Sequence, residues 1–156
     1  MTSGQSAADA HWMTVAVDLA RQCPPSATAY SVGAVIVDAN GQEIARGHSR
    51  ETDPKVHAEE SALAKIDPTD PRLNTATIYS TLEPCARRAS RPRPCAQLIK
   101  DAGIGRVVLA WREPNLFVAN ANGAKLLEDA GLTVIELPEF ADQAIAPNAH
   151  LPLGNR

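Results

Sequence analysis

Apolar positions along the chain follow two different spacings, and segments with the two spacings alternate. Near the N-terminus, five apolar positions repeat at the spacing of a helix: Trp12, Val15, Ala16, Leu19 and Cys23. Ser6 followed by Asp9 resembles a helix-starting cap, and the Pro24-Pro25 pair ends the pattern. We therefore predict a first helix that packs one face against the core.

A hairpin is predicted next. Residues 32–37 form a short apolar run rich in β-branched side chains, which is typical of a buried strand. Asn40-Gly41 is a strong signal for a tight turn, and residues 43–48 form the returning strand. Gly33 fits either of two roles, because a glycine here lets a ligand approach the backbone or relieves crowding between neighbouring elements.

Helix and strand patterns then alternate to the end of the chain. Helices are predicted over residues 57–66, 95–102 and 122–130, and strands over residues 75–81, 106–111 and 132–137. A short helix and a tail follow Pro138. This alternation predicts an α/β fold with three α/β/α layers, in which helices cover both faces of a five-stranded mixed sheet. The sheet starts with the antiparallel hairpin and continues with parallel strands joined by right-handed crossovers.

The composition narrows the class of protein. Of the 156 residues, 44% are apolar and 4% aromatic, which is typical of a globular protein with an aliphatic core. We expect one domain over residues 1–156, with flexible ends at residues 1–5 and in the C-terminal tail. A net charge of −3 and few aromatic side chains argue against a nucleic-acid partner.

The cellular setting follows from what the sequence lacks. It contains no apolar run long enough for a bilayer and no signal-peptide pattern. We therefore expect a cytoplasmic protein without a membrane partner. In that compartment the three cysteines are expected to be ligands or free thiols rather than disulfides.

One imidazole, two thiols and a carboxylate stand at predicted element boundaries. His57 opens a helix, Cys85 follows a strand and Cys95 opens the next helix, which are places where α/β sheets carry their sites. Three such ligands leave the fourth position of a catalytic zinc ion for water. Glu59 can then move protons without binding the metal, while Glu60 is expected to face solvent.

Two other uses of the cysteines are open. Cys85 and Cys95 would pair as a disulfide in an oxidising compartment, which the expected cytoplasmic setting disfavours. A structural zinc site usually takes a fourth protein ligand, but Cys23 lies in a distant helical pattern. The ligand count and Glu59 therefore favour a catalytic site. Glu83 is assigned a structural role, in which it bonds to backbone within its Glu-Pro turn.

Together these residues resemble the zinc signature of the cytidine deaminase superfamily, in which H-x-E precedes P-C-x-x-C. The matching residues are His57, Ala58, Glu59, Pro84, Cys85 and Cys95. Nine residues rather than two separate the cysteines here, and a long spacer is similar to the pyrimidine deaminases of riboflavin biosynthesis. The resemblance covers most of the chain and includes further segments at residues 32–35 and 113–115.

The resemblance implies a zinc-dependent hydrolytic deaminase that releases ammonia from a small aminopyrimidine or related amino-heterocycle, as base, nucleoside or nucleotide. One Zn²⁺ per chain would be held by His57, Cys85 and Cys95, and Glu59 would be the catalytic proton carrier. The expected partner is thus a small molecule. Members of this superfamily commonly assemble, so a homo-oligomer is also expected, with a dimer favoured.

Seven residues are candidates for substrate binding: Gly33, Ala58, Pro84, Arg87, Arg88, Arg91 and Asn115. The spacer between the cysteines is the most unusual feature, since four of the seven residues from 87 to 93 are arginine. Two roles are open for these arginines. They form an anion site beside the zinc ligands, or they belong to a solvated or subunit-facing loop held by salt bridges.

The spacer and two further positions depart from the riboflavin branch. Members usually carry an Asn before the Val-Gly-Ala strand and a His before the His-Ala-Glu segment, where Ala29 and Ser49 stand in this chain. The branch's usual reductase domain is not expected within these residues. The departures leave the substrate open, and two alternatives remain: a nucleic-acid base deaminase and a non-catalytic, zinc-stabilised interaction module.

Overall fold

The structure, a computed structural model, describes residues 3–86, 88, 91–114 and 122–152, and within them the chain forms five helices and five strands. The helices are α1 (Ser3–Ala20), α2 (Ala58–Leu63), α3 (Cys95–Ala102), α4 (Gly123–Asp129) and α5 (Ala141–Ile145). The strands are β1 (Gly33–Val37), β2 (Glu43–His48), β3 (Thr77–Ser80), β4 (Arg106–Leu109) and β5 (Thr133–Glu136). No described helix is both long and apolar enough to span a bilayer.

The five strands form one mixed sheet in the order β2-β1-β3-β4-β5. Strand β1 is antiparallel to both of its neighbours, whereas β3, β4 and β5 are parallel to one another. The predicted hairpin followed by parallel strands is therefore confirmed. Because β3 and β4 are adjacent and parallel, the loops that follow them leave the sheet at the same edge.

Helices cover both faces of the sheet. The strand neighbours Val35, Tyr79 and Val108 belong to a buried cluster that includes residues of α1 and α5, whereas Ile36, Ile78 and Val107 belong to a cluster that includes residues of α2, α3 and α4. Successive strand residues point to opposite faces, so β1, β3 and β4 each contribute to both clusters. This arrangement is the three-layer α/β/α architecture predicted from the pattern.

The ends of the helices follow local signals in most places. Gly103 ends α3 in the left-handed conformation with φ of 86°, where glycine has no steric cost. Helix α2 is shorter than predicted and ends at Leu63. A short 3₁₀ helix over Pro71–Thr75 replaces part of the predicted loop, and the Asp70 side chain caps it by accepting a hydrogen bond from the Arg72 amide.

Gly33 is required by the packing of α1 against β1. A Cβ atom at this position would overlap the carbonyl oxygen of Ala16 and lie 2.6 Å from the amide nitrogen of Ala20. The Gly33 backbone is also occupied, because its amide donates to the Thr81 hydroxyl and its carbonyl accepts from the Thr81 amide. Of its two possible roles, close packing is the one that the structure supports, and the contact with substrate stays a prediction.

A Gly33→Ala substitution should therefore destabilise the fold by about 1–3 kcal/mol, since a methyl group is forced into a packed contact. Gly105→Ala is the matched control, because a Cβ there meets only the Asn74 carbonyl oxygen, at 4.0 Å. The control should change the free energy of unfolding by less than about 1 kcal/mol. Urea denaturation measures both, and equal changes in the two variants would contradict the packing role.

Candidate metal centre and its cavity

Three side chains from three different elements meet at one point. His57 is the N-cap of α2, Cys85 follows β3, and Cys95 is the first residue of α3. The His57 Nδ1 atom lies 3.6 Å from the Cys85 sulfur and 3.4 Å from the Cys95 sulfur. Ligand bonds of about 2.0–2.3 Å at tetrahedral angles require N–S separations of about 3.5 Å. The three atoms therefore fit three corners of a tetrahedral zinc site.

The start of α3 prepares the Cys85 sulfur for metal binding. The Cys95 amide donates a hydrogen bond to this sulfur at 3.2 Å. Hydrogen bonds from the Cys95 thiol and from His57 add to it, and together they lower the pKa of Cys85 to about 4. The pKa of Cys95 is raised, because its thiol donates to Cys85 and is buried. These contacts thus favour the thiolate form at Cys85, and a thiolate is the form that binds metals.

Glu59 is buried beside these ligands. Its side chain lies in the first turn of α2, the residue is only 4% exposed, and it lines the same cavity as His57 and Cys85. Burial raises the pKa of Glu59 to about 7, against an opposing effect of His57. A carboxyl group with a pKa near neutrality can both take up and release a proton under physiological conditions.

The cavity has a volume of about 370 Å³ and a largely apolar wall. Ala29, Val32, Val56 and Leu82 contribute apolar surface, and the polar groups include Glu59 and Glu113. Ala29 and Ser49 both line it. The two positions at which the sequence departs from the riboflavin-branch pattern thus lie in the wall of this cavity rather than at the distant surface.

Of the seven candidates for substrate binding, only one is among the described residues that line the cavity. Arg88 lines the cavity, whereas Arg87 and Asn115 fall outside the described residues. Gly33, Ala58, Pro84 and Arg91 are not among the described residues of the wall. Ala58 is fully buried in the core, and the Pro84 carbonyl packs so tightly on Gly123 that a Cβ there would overlap it. In the structure these four positions make packing or ion-pairing contacts, and their role in substrate binding stays a prediction.

Glu60 contacts the arginine spacer instead of facing solvent. Its Oε1 atom accepts hydrogen bonds from the Arg88 guanidinium at 2.9 Å and from the His57 amide at 3.3 Å, and its Oε2 atom accepts one from Arg91 at 3.0 Å. Arg91 also pairs with Asp53 at 2.7 Å. The expectation of a solvent-facing Glu60 is therefore wrong, because the two arginines pair with this carboxylate and leave its side chain only 22% exposed.

The other described contacts of the spacer are also internal. Arg88 is 4% exposed in its side chain, donates to the Lys55 carbonyl at 2.7 Å and lies 3.9 Å from the Cys95 sulfur. Arg93 pairs with Asp101 at 2.7 Å. Among the described arginines, these contacts favour the loop held by salt bridges over the anion site. Arg88 and Arg91 thus connect the described part of the spacer to residue 60 in α2 and to the loop before that helix.

Glu83 has the expected structural role but different partners. Its two carboxyl oxygens accept hydrogen bonds from the Glu113 amide at 2.9 Å and from the Ala124 amide at 2.8 Å. They do not bond within the Glu-Pro turn. Glu83 therefore connects the loop after β3 to the loop after β4 and to the first turn of α4, which holds this side of the cavity in place.

Glu113 is the cavity residue that the sequence analysis underrated. Two signals pointed to it: its place after a predicted strand, at the edge where the parallel strands end, and its inclusion in the segment 113–115 of the family resemblance. The structure places it in the wall of the cavity, and burial raises the pKa of Glu113 to about 8, with further contributions from the negative charges of Cys85, Glu83 and Glu59.

Comparison with known proteins adds an independent observation. A family model described as the cytidine and deoxycytidylate deaminase zinc-binding region matches residues 6–111. The chain is 41% identical over 146 residues to the diaminohydroxyphosphoribosylamino-pyrimidine deaminase of Schizosaccharomyces pombe, which covers 90% of this chain and 35% of that protein. It is 40% identical over 129 residues to the riboflavin biosynthesis protein RibD of Haemophilus influenzae, covering 81% of this chain and 32% of that protein.

A solved structure is similar as well. RibD of Acinetobacter baumannii superposes with a TM-score of 0.76 and 35% identity, over 92% of this chain and 38% of that one. The chain thus spans about a third of the length of the curated relatives that it matches.

The geometry predicts a zinc site that depends on His57, Cys85 and Cys95 but not on Cys23. His57→Ala and Cys85→Ser should each weaken zinc binding by more than the roughly 10–100-fold that loss of an outer-shell partner costs. Cys23→Ser is the matched control and should bind like the parent chain, with about one ion per chain. Competition titration with a chromogenic chelator measures the affinities. Equal loss of affinity in the Cys23 variant would contradict the assignment.

Proposed function

This chain belongs to the cytidine and deoxycytidylate deaminase family, and on that premise we propose that it is a zinc-dependent hydrolytic deaminase of an aminopyrimidine. The observation that carries the proposal is the buried Glu59 carboxyl group, which lines one cavity with His57 and Cys85. A metal site that only stabilises a fold needs no such carboxyl group. This argues against the non-catalytic interaction module.

His57, Cys85 and Cys95 would hold one zinc ion, whose donor set of one imidazole and two thiolates suits zinc. When bound, zinc supplies Lewis acidity and lowers the pKa of a water molecule toward neutrality. The chain's own contribution is to fix the ligands. The Cys95 amide orients the Cys85 sulfur, and Glu60 accepts from the His57 amide, so both ligands are positioned by neighbouring hydrogen bonds.

Glu59 is the group that moves the proton. Its carboxylate takes a proton from the attacking water as the new C–O bond forms at the amine-bearing ring carbon. It then gives this proton to the amine nitrogen as the C–N bond breaks, so that ammonia leaves. The second proton of the water passes to the ring nitrogen beside this carbon, and the ring carbon keeps a carbonyl oxygen. One carboxyl group therefore serves first as base and then as acid, which suits a pKa near neutrality.

The substrate class is proposed from the relatives together with the cavity. The S. pombe relative is named for a diaminohydroxyphosphoribosylamino-pyrimidine. A cavity of about 370 Å³ lies within the range of about 300–1,000 Å³ usual for small-molecule sites. We infer an aminopyrimidine that carries a phosphorylated sugar. The proposal also includes a cytoplasmic setting and a homodimer.

A nucleic-acid substrate has less support. The described arginines of the spacer are neutralised by Glu60, Asp53 and Asp101, so they do not form a free basic surface. Binding to polynucleotide is driven by such surfaces.

Glu59→Gln tests the proton transfer directly. The amide keeps the size of the side chain but cannot accept the proton, so kcat should fall by about 10²–10⁴-fold while the zinc content stays unchanged. Ammonia release from a diaminopyrimidine ribotide and metal analysis of the purified variant measure the two quantities. Full activity in this variant would rule out the assigned role, and absence of ammonia release from the parent chain across aminopyrimidines would rule out the deaminase.

The phosphate preference tests the arginine spacer. Each substrate is assayed with and without its 5′-phosphate, in the parent chain and in Arg91→Gln. Since Arg91 is already paired with Glu60 and Asp53, the ratio of the two kcat/KM values should change by less than about fivefold, the range expected for a partly exposed ion pair. Loss of the phosphate preference in Arg91→Gln would instead make the spacer an anion site.

A further inference from the structure

One carboxyl oxygen in the cavity wall has no partner. Oε2 of Glu113 is buried, and it is the one buried side-chain nitrogen or oxygen without a hydrogen bond in the part of the chain that the structure describes. Native proteins leave few such atoms unsatisfied, because the loss of solvation is costly. The atom therefore requires an explanation, and a missing ligand is one.

Glu113 is held in place by its backbone. Its amide donates to Oε1 of Glu83, whose other oxygen accepts from the Ala124 amide. The next residue is also fixed, since the Pro114 carbonyl lies 3.3 Å from the Tyr30 hydroxyl, which donates to it. The side chain is thus presented to the cavity from a restrained loop, as expected of a recognition group.

The surroundings suit a flat heterocycle. Tyr30, which lines the cavity, packs edge-to-face on Trp111 with ring centroids 5.7 Å apart, and Val32 and Leu82 add apolar surface. Within this largely apolar wall, Glu113 and Glu59 are two carboxyl groups from different elements. Glu59 is committed to the attacking water and the leaving amine, so the remaining polar edge of the ring needs a second group.

We propose that the Glu113 carboxyl group binds the amine-bearing edge of the aminopyrimidine, where it accepts from the exocyclic amine and pairs with the ring nitrogen beside it. This inference rests on the proposed function and deepens it. Oε2 accepts from the amine in either protonation state. The other oxygen donates to an unprotonated ring nitrogen when the group is neutral, and a carboxylate accepts from a protonated one.

This pairing has a consequence for selectivity. Glu59 faces the ring nitrogen on one side of the amine-bearing carbon, which gains a proton in the reaction, and Glu113 pairs with the ring nitrogen on the other side. The two carboxyl groups together therefore favour rings in which this carbon lies between two ring nitrogens. In 2-aminopyrimidin-4-one the carbon has a nitrogen on both sides, whereas in its isomer cytosine one neighbour is a C–H group. The two isomers have the same atoms, so they form a matched pair of probes.

The test measures binding of the two isomers in a Glu59→Gln background, which prevents turnover. The chain with Glu113 intact should bind 2-aminopyrimidin-4-one about 10- to 100-fold more tightly than cytosine, and Glu113→Met should reduce this ratio to below about threefold. Glu128→Gln, on the exposed part of α4, is the control for loss of a carboxylate and should leave the ratio unchanged. Calorimetric or ligand-detected NMR titration gives the affinities.

Stability separates recognition from a merely structural role. Because the unpaired oxygen is removed, Glu113→Met should unfold at the same or a higher temperature than the parent, with unchanged zinc content. If Glu113→Met does not fold, Glu113→Gln decides by the same binding ratio. A ratio that is unchanged in the folded variant overturns the inference. Failure of the deaminase itself is distinguishable, because it appears as absent ammonia release while the binding ratio still responds to Glu113.

Discussion

The hydrogen bond from the Cys95 amide to the Cys85 sulfur connects the end of β3 to the start of α3, and the site depends on it. It is reinforced by the Ala96 amide, which donates to the Cys85 carbonyl at 3.0 Å. A helix N-terminus stabilises negative charge, so the same contact that closes the crossover also maintains a thiolate. His57, at the start of α2, is the third predicted metal ligand beside Cys85 and Cys95. Fold and ligand chemistry are thus coupled in one place.

Around this contact a second set of side chains supports the metal ligands. Glu60 accepts from the His57 amide and pairs with two arginines of the spacer, and Arg88 also approaches the Cys95 sulfur. The Arg88 guanidinium is nearly buried, and its positive charge favours the thiolate form of the neighbouring Cys95. Arg88 and Arg91 of the long spacer are therefore part of the metal site's support.

Local chemistry made much of the fold and site predictable. The hairpin signal at Asn40-Gly41, the helix end at Gly103 and the ligand set of His57, Cys85 and Cys95 depend on residues close in sequence or on a recognisable motif. The family match and the relatives confirm the resemblance drawn from these motifs. Contacts between distant segments were not accessible in this way.

Gly33, Glu60 and Glu83 show which contacts the sequence patterns could not predict. The packing role of Gly33 could be predicted only if the position of α1 were known. The ion pairs of Glu60 could be predicted only if the fold of a spacer 28 or more residues away were known. The partners of Glu83 lie 30 and 41 residues along the chain. No periodicity encodes these pairings, since each depends on the order of strands in the sheet, in which β1 lies between β2 and β3.

The carboxylate bridge of Glu83 has an evolutionary consequence. Both of its partners are backbone amides, which every residue except proline supplies, so the bridge constrains position 83 but leaves the identities at positions 113 and 124 open. Apart from Gly123, where a Cβ would overlap the Pro84 carbonyl, the intervening segment can change in composition or length while its two ends stay anchored. Divergence of substrate range, or deliberate loop grafting, therefore has a route here that leaves the metal ligands and the sheet untouched.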